Sequence, residues 1–343
     1  MASGSACAAP QAARPLFVPA RSRSFAYAPC TLTDALPSSA PCTLYCGSPG
    51  DGVIEDWIVL NTAGASETVL LKPTPGAWDS RHVCDPCAVR GEFSMGGIKY
   101  VLALFYTGTQ DVHSNGCGNR VGVAFANDIR GPWVKRPDPL VERMPGETDV
   151  TWGVGQPTAT KITDGRVLLA FTRGDFGAEP TRMCAVDVDL TDALAPVIMK
   201  SEWALPRGGF PAGLPLYNGD VAYCPQEKRI YLVHNGPMTS APTAHLPDTV
   251  FLRSISEHEY WAGAGSWTLH GSIGPDATGW PKNHDAGLVK TLYGMLPSPP
   301  QDGVRVSASV SESIGWPDAL FSYRVVEATV SLVALKAAGE AVM

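Results

Sequence analysis

Four ionisable residues sit where short apolar runs begin: Asp85 ahead of Pro86, Asp220 after the Asn218–Gly219 pair, and the adjacent His284 and Asp285. Carboxylates can accept a proton, deliver one or attack an electron-poor carbon, and an imidazolium donates a proton near neutral pH. Gathered into one cavity, these groups would act on a polar bond. Gln156 opens a further run and can only bind. Trp152 and Trp280 each precede a run and offer a flat face to a sugar ring or an apolar ligand. Arg173, His82 and His113 are candidates to bind hydroxyl groups. Each has a plainer alternative. Asp before proline suits a turn, Asn-Gly precedes a hairpin, a buried His can be structural, and Arg173, His82 and His113 also suit the surface.

The runs recur, and their recurrence is what would bring these residues together. One unit reads Val83–Arg90, Lys99–Tyr106, Arg120–Ala126 and Trp133–Lys135; the next reads Gln156–Ile162, Arg166–Thr172, Met183–Val188 and Glu202–Leu205. A third reads Asp220–Cys224, Arg229–His234, Thr249–Ile255 and Ser266–His270. The last has Asp285–Leu292, Val304–Val310 and Ala319–Leu332, and an opening unit has Cys42–Cys46, Asp56–Leu60 and Thr68–Leu71. The units begin roughly 40 to 75 residues apart, which suits propeller blades. A lone four-stranded sheet cannot bury both faces, whereas five packed radially can. The expectation is an all-β, single-domain, five-bladed β-propeller over 26–335, with a flexible segment at 1–25 and a tail at 336–343. The last unit looks one strand short, and Ser24–Leu32 is expected to close it.

The second unit carries a resemblance. His82-Val83-Cys84-Asp85-Pro86 opens it, Tyr106-Thr107-Gly108 ends its second run, and Gly131-Pro132-Trp133 leads into its fourth. Gly153-Val154-Gly155-Gln156-Pro157 and Asn283-His284-Asp285-Ala286-Gly287 echo the opening. This succession resembles the five-bladed propeller glycoside hydrolases of the arabinanase, xylosidase and invertase kind, over roughly residues 40 to 332. The resemblance implies a pocket on the propeller axis, reached by the starts of the inner strands. Asp85, Gln156, Asp220 and His284–Asp285 would line it, with Thr43 or Tyr45 from the first blade. In that family, carboxylates around the anomeric centre activate water or attack, donate a proton, and tune one another. The family's acid is usually a glutamate opening a later blade, and none stands at these positions. Gln156 occupies one such place, His284 is the substitute, and Glu147 and Asp149 are candidates to fold over the mouth.

Bulk composition narrows the field. Glycine (35) and proline (30) are spread along 343 residues, which suits many short strands joined by turns. A net charge of −7 without a basic run argues against nucleic acid. No stretch of eighteen apolar residues exists to span a membrane. The first 25 residues lack the apolar centre of a signal peptide. Six of nine cysteines, Cys30, Cys42, Cys46, Cys84, Cys87 and Cys117, cluster as disulfide partners would. Free buried thiols in a cytosolic protein are the alternative, and the cluster tilts the reading toward the secretory pathway. Cys84-x-x-Cys87 alone does not make a zinc site, so no metal and no cofactor are expected. The expected partner is a sugar or other small molecule; nothing sets an oligomeric state.

These residues support three activities. The first, which the resemblance implies, is a glycoside hydrolase-like enzyme with Asp85 as base or nucleophile, Asp220 as a positioning carboxylate, and His284 with Asp285 as the acid and its partner. The second is a repurposed propeller that cyclises a small biosynthetic intermediate or catalyses its cycloaddition by orientation and hydrogen-bond polarisation. The third is a non-catalytic sugar-binding propeller. Fold alone does not choose among them.

Overall fold

The computed structural model describes residues 12–332 apart from 18, 37–39, 63–65, 115, 175–179, 239–245, 298–299 and 301–302. Residues 1–11 of the N-terminal segment, with Cys7, and the 336–343 tail lie outside the described residues.

Among the described residues, twenty strands form five four-stranded antiparallel sheets. A first strand, β1 (Arg14–Phe17), stands apart in sequence from the blade it joins. Blade one is β2 (Tyr27–Leu32), β3 (Cys42–Gly47), β4 (Trp57–Thr62) and β5 (Ser66–Leu71). Blade two is β6 (His82–Met95), β7 (Ile98–Thr109), β8 (Arg120–Ala126) and β9 (Val134–Lys135). Blade three is β10 (Val154–Thr163), β11 (Arg166–Arg173), β12 (Arg182–Asp189) and β13 (Val197–Ala204). Blade four is β14 (Gly219–Cys224), β15 (Arg229–Asn235), β16 (Val250–Ser256) and β17 (Thr268–Ile273). Blade five is β18 (Lys282–Leu288), β19 (Val304–Ser311) and β20 (Arg324–Val330), completed by β1. The innermost strands β2, β6, β10, β14 and β18 contact one another in cyclic order, and β18 returns to β2.

This arrangement explains the hydrophobic pattern. Middle strands pack both faces against neighbouring blades, so β11 reads as a nearly continuous apolar run in which Val167–Arg173 is buried. The outermost β13 is mostly exposed, including Val197, Ile198 and Met199. The ring closes through β1, whose Arg14 faces Glu327 of β20 and pairs with it at 2.9 Å.

Two expectations need correction. Ser24–Leu32 does not close the last blade: it holds β2, the inner strand of blade one. Closure comes from β1, inside the segment expected to lack fixed structure. A short strand can form there because β20 offers an unpaired edge and a carboxylate to receive Arg14. The clustered cysteines are also not paired as expected: among the described residues no disulfide is formed, and Cys30, Cys42, Cys46, Cys84, Cys87, Cys184 and Cys224 are thiols.

Candidate functional site

Each blade contributes one residue to a ring on the axis: Ala28, Asp85, Gln156, Asn218 and Asp285. All five have positive φ, between 44° and 55°, although none is glycine. That conformation costs an L-residue on the order of 1–2 kcal/mol, so the surroundings must hold it. They do so five times in the same way. The N–H of each ring residue donates to a side chain on the second strand of the preceding blade. Ala28 bonds Ser309 Oγ (2.9 Å), Asp85 bonds Cys46 Sγ (2.9 Å), and Gln156 bonds Thr107 Oγ1 (2.7 Å). Asn218 bonds Thr172 Oγ1 (2.9 Å) and Asp285 bonds Asn235 Oδ1 (2.9 Å). In blades one, two, three and five the ladder register breaks at this point, as a β-bulge does when it re-aims a side chain.

The two ring carboxyls stand in unlike surroundings. Burial pushes Asp85 up to about 7, with the charge of Asp285 adding to it and a hydrogen bond from Thr107 opposing it. Thr107 therefore links blades two and three: its oxygen accepts from Gln156 N–H while its hydroxyl serves Asp85. Asp285 instead receives amide donors. Asn218 Nδ2 and Asn235 Nδ2 both reach its Oδ1, the latter at 3.3 Å. His284 lies behind it, fully buried, with Nδ1 3.0 Å from Asp285 Oδ2 but without the alignment of a hydrogen bond, and its ring meets Tyr323 edge-on at 4.6 Å.

Asp220 is displaced from the position expected of it. Asn218 holds blade four's place in the ring, and Asp220 lies two residues further along, beneath the floor. Its Oδ1 takes Lys290 Nζ and Thr158 Oγ1, and its Oδ2 accepts Leu288 N–H at 2.7 Å. Lys290 is fully buried, and its proton is held firmly by the Asp220 charge, which outweighs the burial that would remove it. This ion pair knits blades three, four and five together. The axis is tight at this level: a Cβ on Gly287 would come within 2.1 Å of Pro29 O, so only glycine fits. Thr43 and Tyr45 lie on the second strand of blade one and do not reach the ring; Tyr45 bonds Glu67 at 2.8 Å.

Above the ring the cleft divides into two lobes of about 600 and about 730 Å³ that share Tyr27, Trp152, Gln156, Asp285, Trp316 and Leu320. The lobe over blades one and two holds Asp85 and the cluster of Asp56, His82 and Asp111. His82 Nδ1 is 2.8 Å from Asp56 Oδ2, and Nε2 is 3.7 Å from Asp111 Oδ2. Burial works against a charge on His82, but the bond and charge of Asp56 prevail and raise it. The other lobe is walled by Val150, Tyr217, Met238, Leu246 and Tyr323. Burial and then Asp285 push the Tyr217 phenol up to about 12, leaving it a hydrogen-bond donor. Gln156 Oε1 is buried at the junction of the lobes with no hydrogen-bond partner among the described residues.

Of the residues singled out from sequence, Asp85, Asp285, Gln156, Trp152 and His82 therefore share one cleft. The others do not. Arg173 turns outward into a two-point ion pair with Glu202, both contacts at 2.6 Å. Trp280 packs on the apolar core between blades four and five. His113 is exposed and lines none of these cavities. Glu147 folds back on Met144 N–H and Asp149 pairs with Arg143 at 2.7 Å, so neither covers the mouth. Sequence reading missed Ala28, Asn218, Asp56, Asp111, Tyr217 and Trp316. The Ala28-Pro29-Cys30 echo of Asp85-Pro86-Cys87 is the signal that could have found Ala28. Among the described residues, no group of three or more His, Cys, Asp or Glu side chains is placed to hold a metal.

No protein family's model matches this chain, and no curated protein matches it. Solved structures do. A family 117 glycoside hydrolase produced by the marine bacterium Zobellia galactanivorans is 12% identical, with a TM-score of 0.55 over 94% of this chain and 91% of that one. An endo-arabinase from Bacteroides thetaiotaomicron is 11% identical, with a TM-score of 0.53 over 89% and 94%. An alpha-L-arabinofuranosidase from Podospora anserina, in complex with cellotriose, is 12% identical, with a TM-score of 0.53 over 93% and 96%. At these identities the likeness is one of fold.

Proposed function

We propose that this chain, a five-bladed propeller of the fold seen in those glycoside hydrolases, is a glycoside hydrolase-like enzyme that works at the floor of its axial cleft on a glycoside or sugar-like molecule. The observation that carries the reading is the pair of ring carboxyls in contrasting environments. Two such groups whose surroundings set them apart divide acid and base roles between them. Asp85, raised to about 7 by burial and by Asp285, keeps a proton at weakly acidic pH and gives it to the leaving oxygen. Asp285, held by Asn218 and Asn235, is the carboxylate that faces the reacting carbon or its water. This assigns the proton donor to Asp85 rather than to His284, which lines none of the cavities over the floor. Gln156 Oε1 accepts a substrate hydroxyl, and Trp152 stacks on a ring.

The test is release of aryl alcohol from aryl arabinosides, xylosides, galactosides and fructosides. The expected result is turnover of one of them, reduced at least about a hundredfold in both Asp85→Asn and Asp285→Asn with folding retained. Absence of turnover on all four refutes hydrolysis. One observation favours the second reading, a cyclase or cycloaddition enzyme: the ring holds no glutamate, and blades one and three contribute Ala28 and Gln156. A floor with two carboxyls can still polarise and orient an apolar intermediate without cleaving it.

A further inference from the structure

The two lobes differ in chemistry, and the difference identifies what kind of molecule spans them. The lobe over blades one and two is ionic, lined by Asp56, Arg81, His82, Asp85 and Asp111 besides the shared Asp285. In the lobe over blades three to five, Asp285 is the only Asp, Glu, His, Lys or Arg among the described lining residues, and it lies at the floor. Above that floor the wall is largely aromatic and aliphatic, with the uncharged Thr151 and Thr181 among its apolar side chains. Three of its large apolar side chains are more than half exposed: Val150 at 62%, Met238 at 55% and Trp316 at 56%. Large apolar side chains gathered at a cavity mouth mark a surface that a ligand covers. A volume of about 730 Å³ lies within the range of sites for small molecules.

We infer that the substrate is a glycoside with an apolar aglycone, an aryl or extended alkyl group, rather than an oligosaccharide polar along its whole length. The sugar occupies the ionic lobe, the aglycone lies against Val150, Tyr217, Met238 and Trp316, and the bond between them crosses the floor at Gln156 and Asp285. Continuity fixes the occupant: the apolar wall runs down to the same floor residues as the ionic one, so a single molecule reaches both. This inference rests on the cleft being the substrate site, and its test does not require turnover.

The experiment is isothermal titration calorimetry with the methyl and 2-naphthyl glycosides of arabinose, xylose, galactose and fructose, and with 2-naphthol alone. For at least one sugar the naphthyl glycoside should bind about tenfold or more tighter than the methyl glycoside, because burying a fused ring removes a large apolar area from water. In the Val150→Asp/Met238→Asp double variant that ratio should fall to about threefold or less, and 2-naphthol binding should weaken in parallel. Both residues are exposed, so the substitutions test the wall rather than the core. Equal affinities for methyl and naphthyl glycosides, no binding of any naphthyl compound, or a ratio unchanged in the double variant would each overturn the inference. A protein that binds as expected but releases no product would refute hydrolysis and leave this assignment standing.

Discussion

Replacing Asp85 with asparagine should stabilise the protein, and only at the pH values where the carboxyl would be charged. Its pKa rises from 3.8 to about 7 on folding, chiefly through burial and then through Asp285. Below about pH 3.8 the group is protonated whether the chain is folded or not, and it imposes no penalty. Between that pH and about 7 the unfolded chain releases the proton while the folded one keeps it, so stability falls as pH rises. Above about 7 the whole penalty is present, at most about 4 kcal/mol. Asparagine has the same shape and no charge to desolvate. Wild type and Asp85→Asn should therefore melt together near pH 4 and diverge by about 5 °C at pH 8, the variant being the more stable. Thermal scans by circular dichroism at half-unit pH steps would measure this. Asp285→Asn, which removes the second contribution, should narrow the pH range over which wild type loses stability. Parallel melting curves for wild type and Asp85→Asn across that range would refute the claim that the floor keeps Asp85 protonated. The same protonation places the alkaline limb of kcat/KM near pH 7 in any substrate the enzyme turns over.

Thr107→Val leaves Gln156 N–H without its acceptor and should cost about 1–3 kcal/mol in urea denaturation, while Thr107→Ser restores most of it. Because the Thr107 hydroxyl holds Asp85 down, the valine variant should also move the alkaline limb of the activity profile to higher pH. Lys290→Met strands Asp220 in the interior and should destabilise by about 3–5 kcal/mol, with a Lys290→Met/Asp220→Leu double variant recovering part of the loss. Arg173→Ala should lower stability by about 2 kcal/mol through the loss of Glu202 contacts, yet change ligand affinity less than twofold, as calorimetry would report. Deleting residues 1–17 uncovers the β20 edge and should lower the melting temperature and promote association seen by light scattering.

The architecture was legible because strand runs in a propeller repeat at blade length and are apolar on both faces. Asp85, Gln156 and Asp285 were legible for a related reason, since each opens such a run. Asn218 was not, because the Asn-Gly pair reads as a turn and pushes attention to the next acid, Asp220, which the fold directs under the floor to Lys290. Arg173 ends the second strand of blade three and Trp280 precedes the inner strand of blade five, but the pleat sends Arg173 to Glu202 and a short helix, Pro275–Thr278, sets Trp280 against the core. Asp56 and Trp316 belong to connections whose path over the cleft no local pattern encodes. The closing strand was hidden because Arg14–Phe17 is too short and too ordinary to signal pairing by itself; its partner lies more than 300 residues away.

The ring geometry bears on how such a pocket can change its chemistry. Five non-glycine residues occupy the left-handed region, and what holds each is its own N–H bonded to the neighbouring blade, not its side chain. The acceptors are Ser309, Cys46, Thr107, Thr172 and Asn235, five side chains of three chemistries (hydroxyl, thiol and amide) in one role. The strain of the bulge and the docking of blade on blade are thus settled by backbone donors and second-strand acceptors. The ring side chains do not set this backbone geometry, which is why Ala, Asp, Gln, Asn and Asp can stand at equivalent positions of one molecule. Exchanging a ring carboxyl for an amide or a methyl then alters proton inventory at the floor without disturbing the sheets that carry it. A chain can therefore share the fold of glycoside hydrolases at 11–12% identity and be read for its chemistry only at the ring and the walls above it.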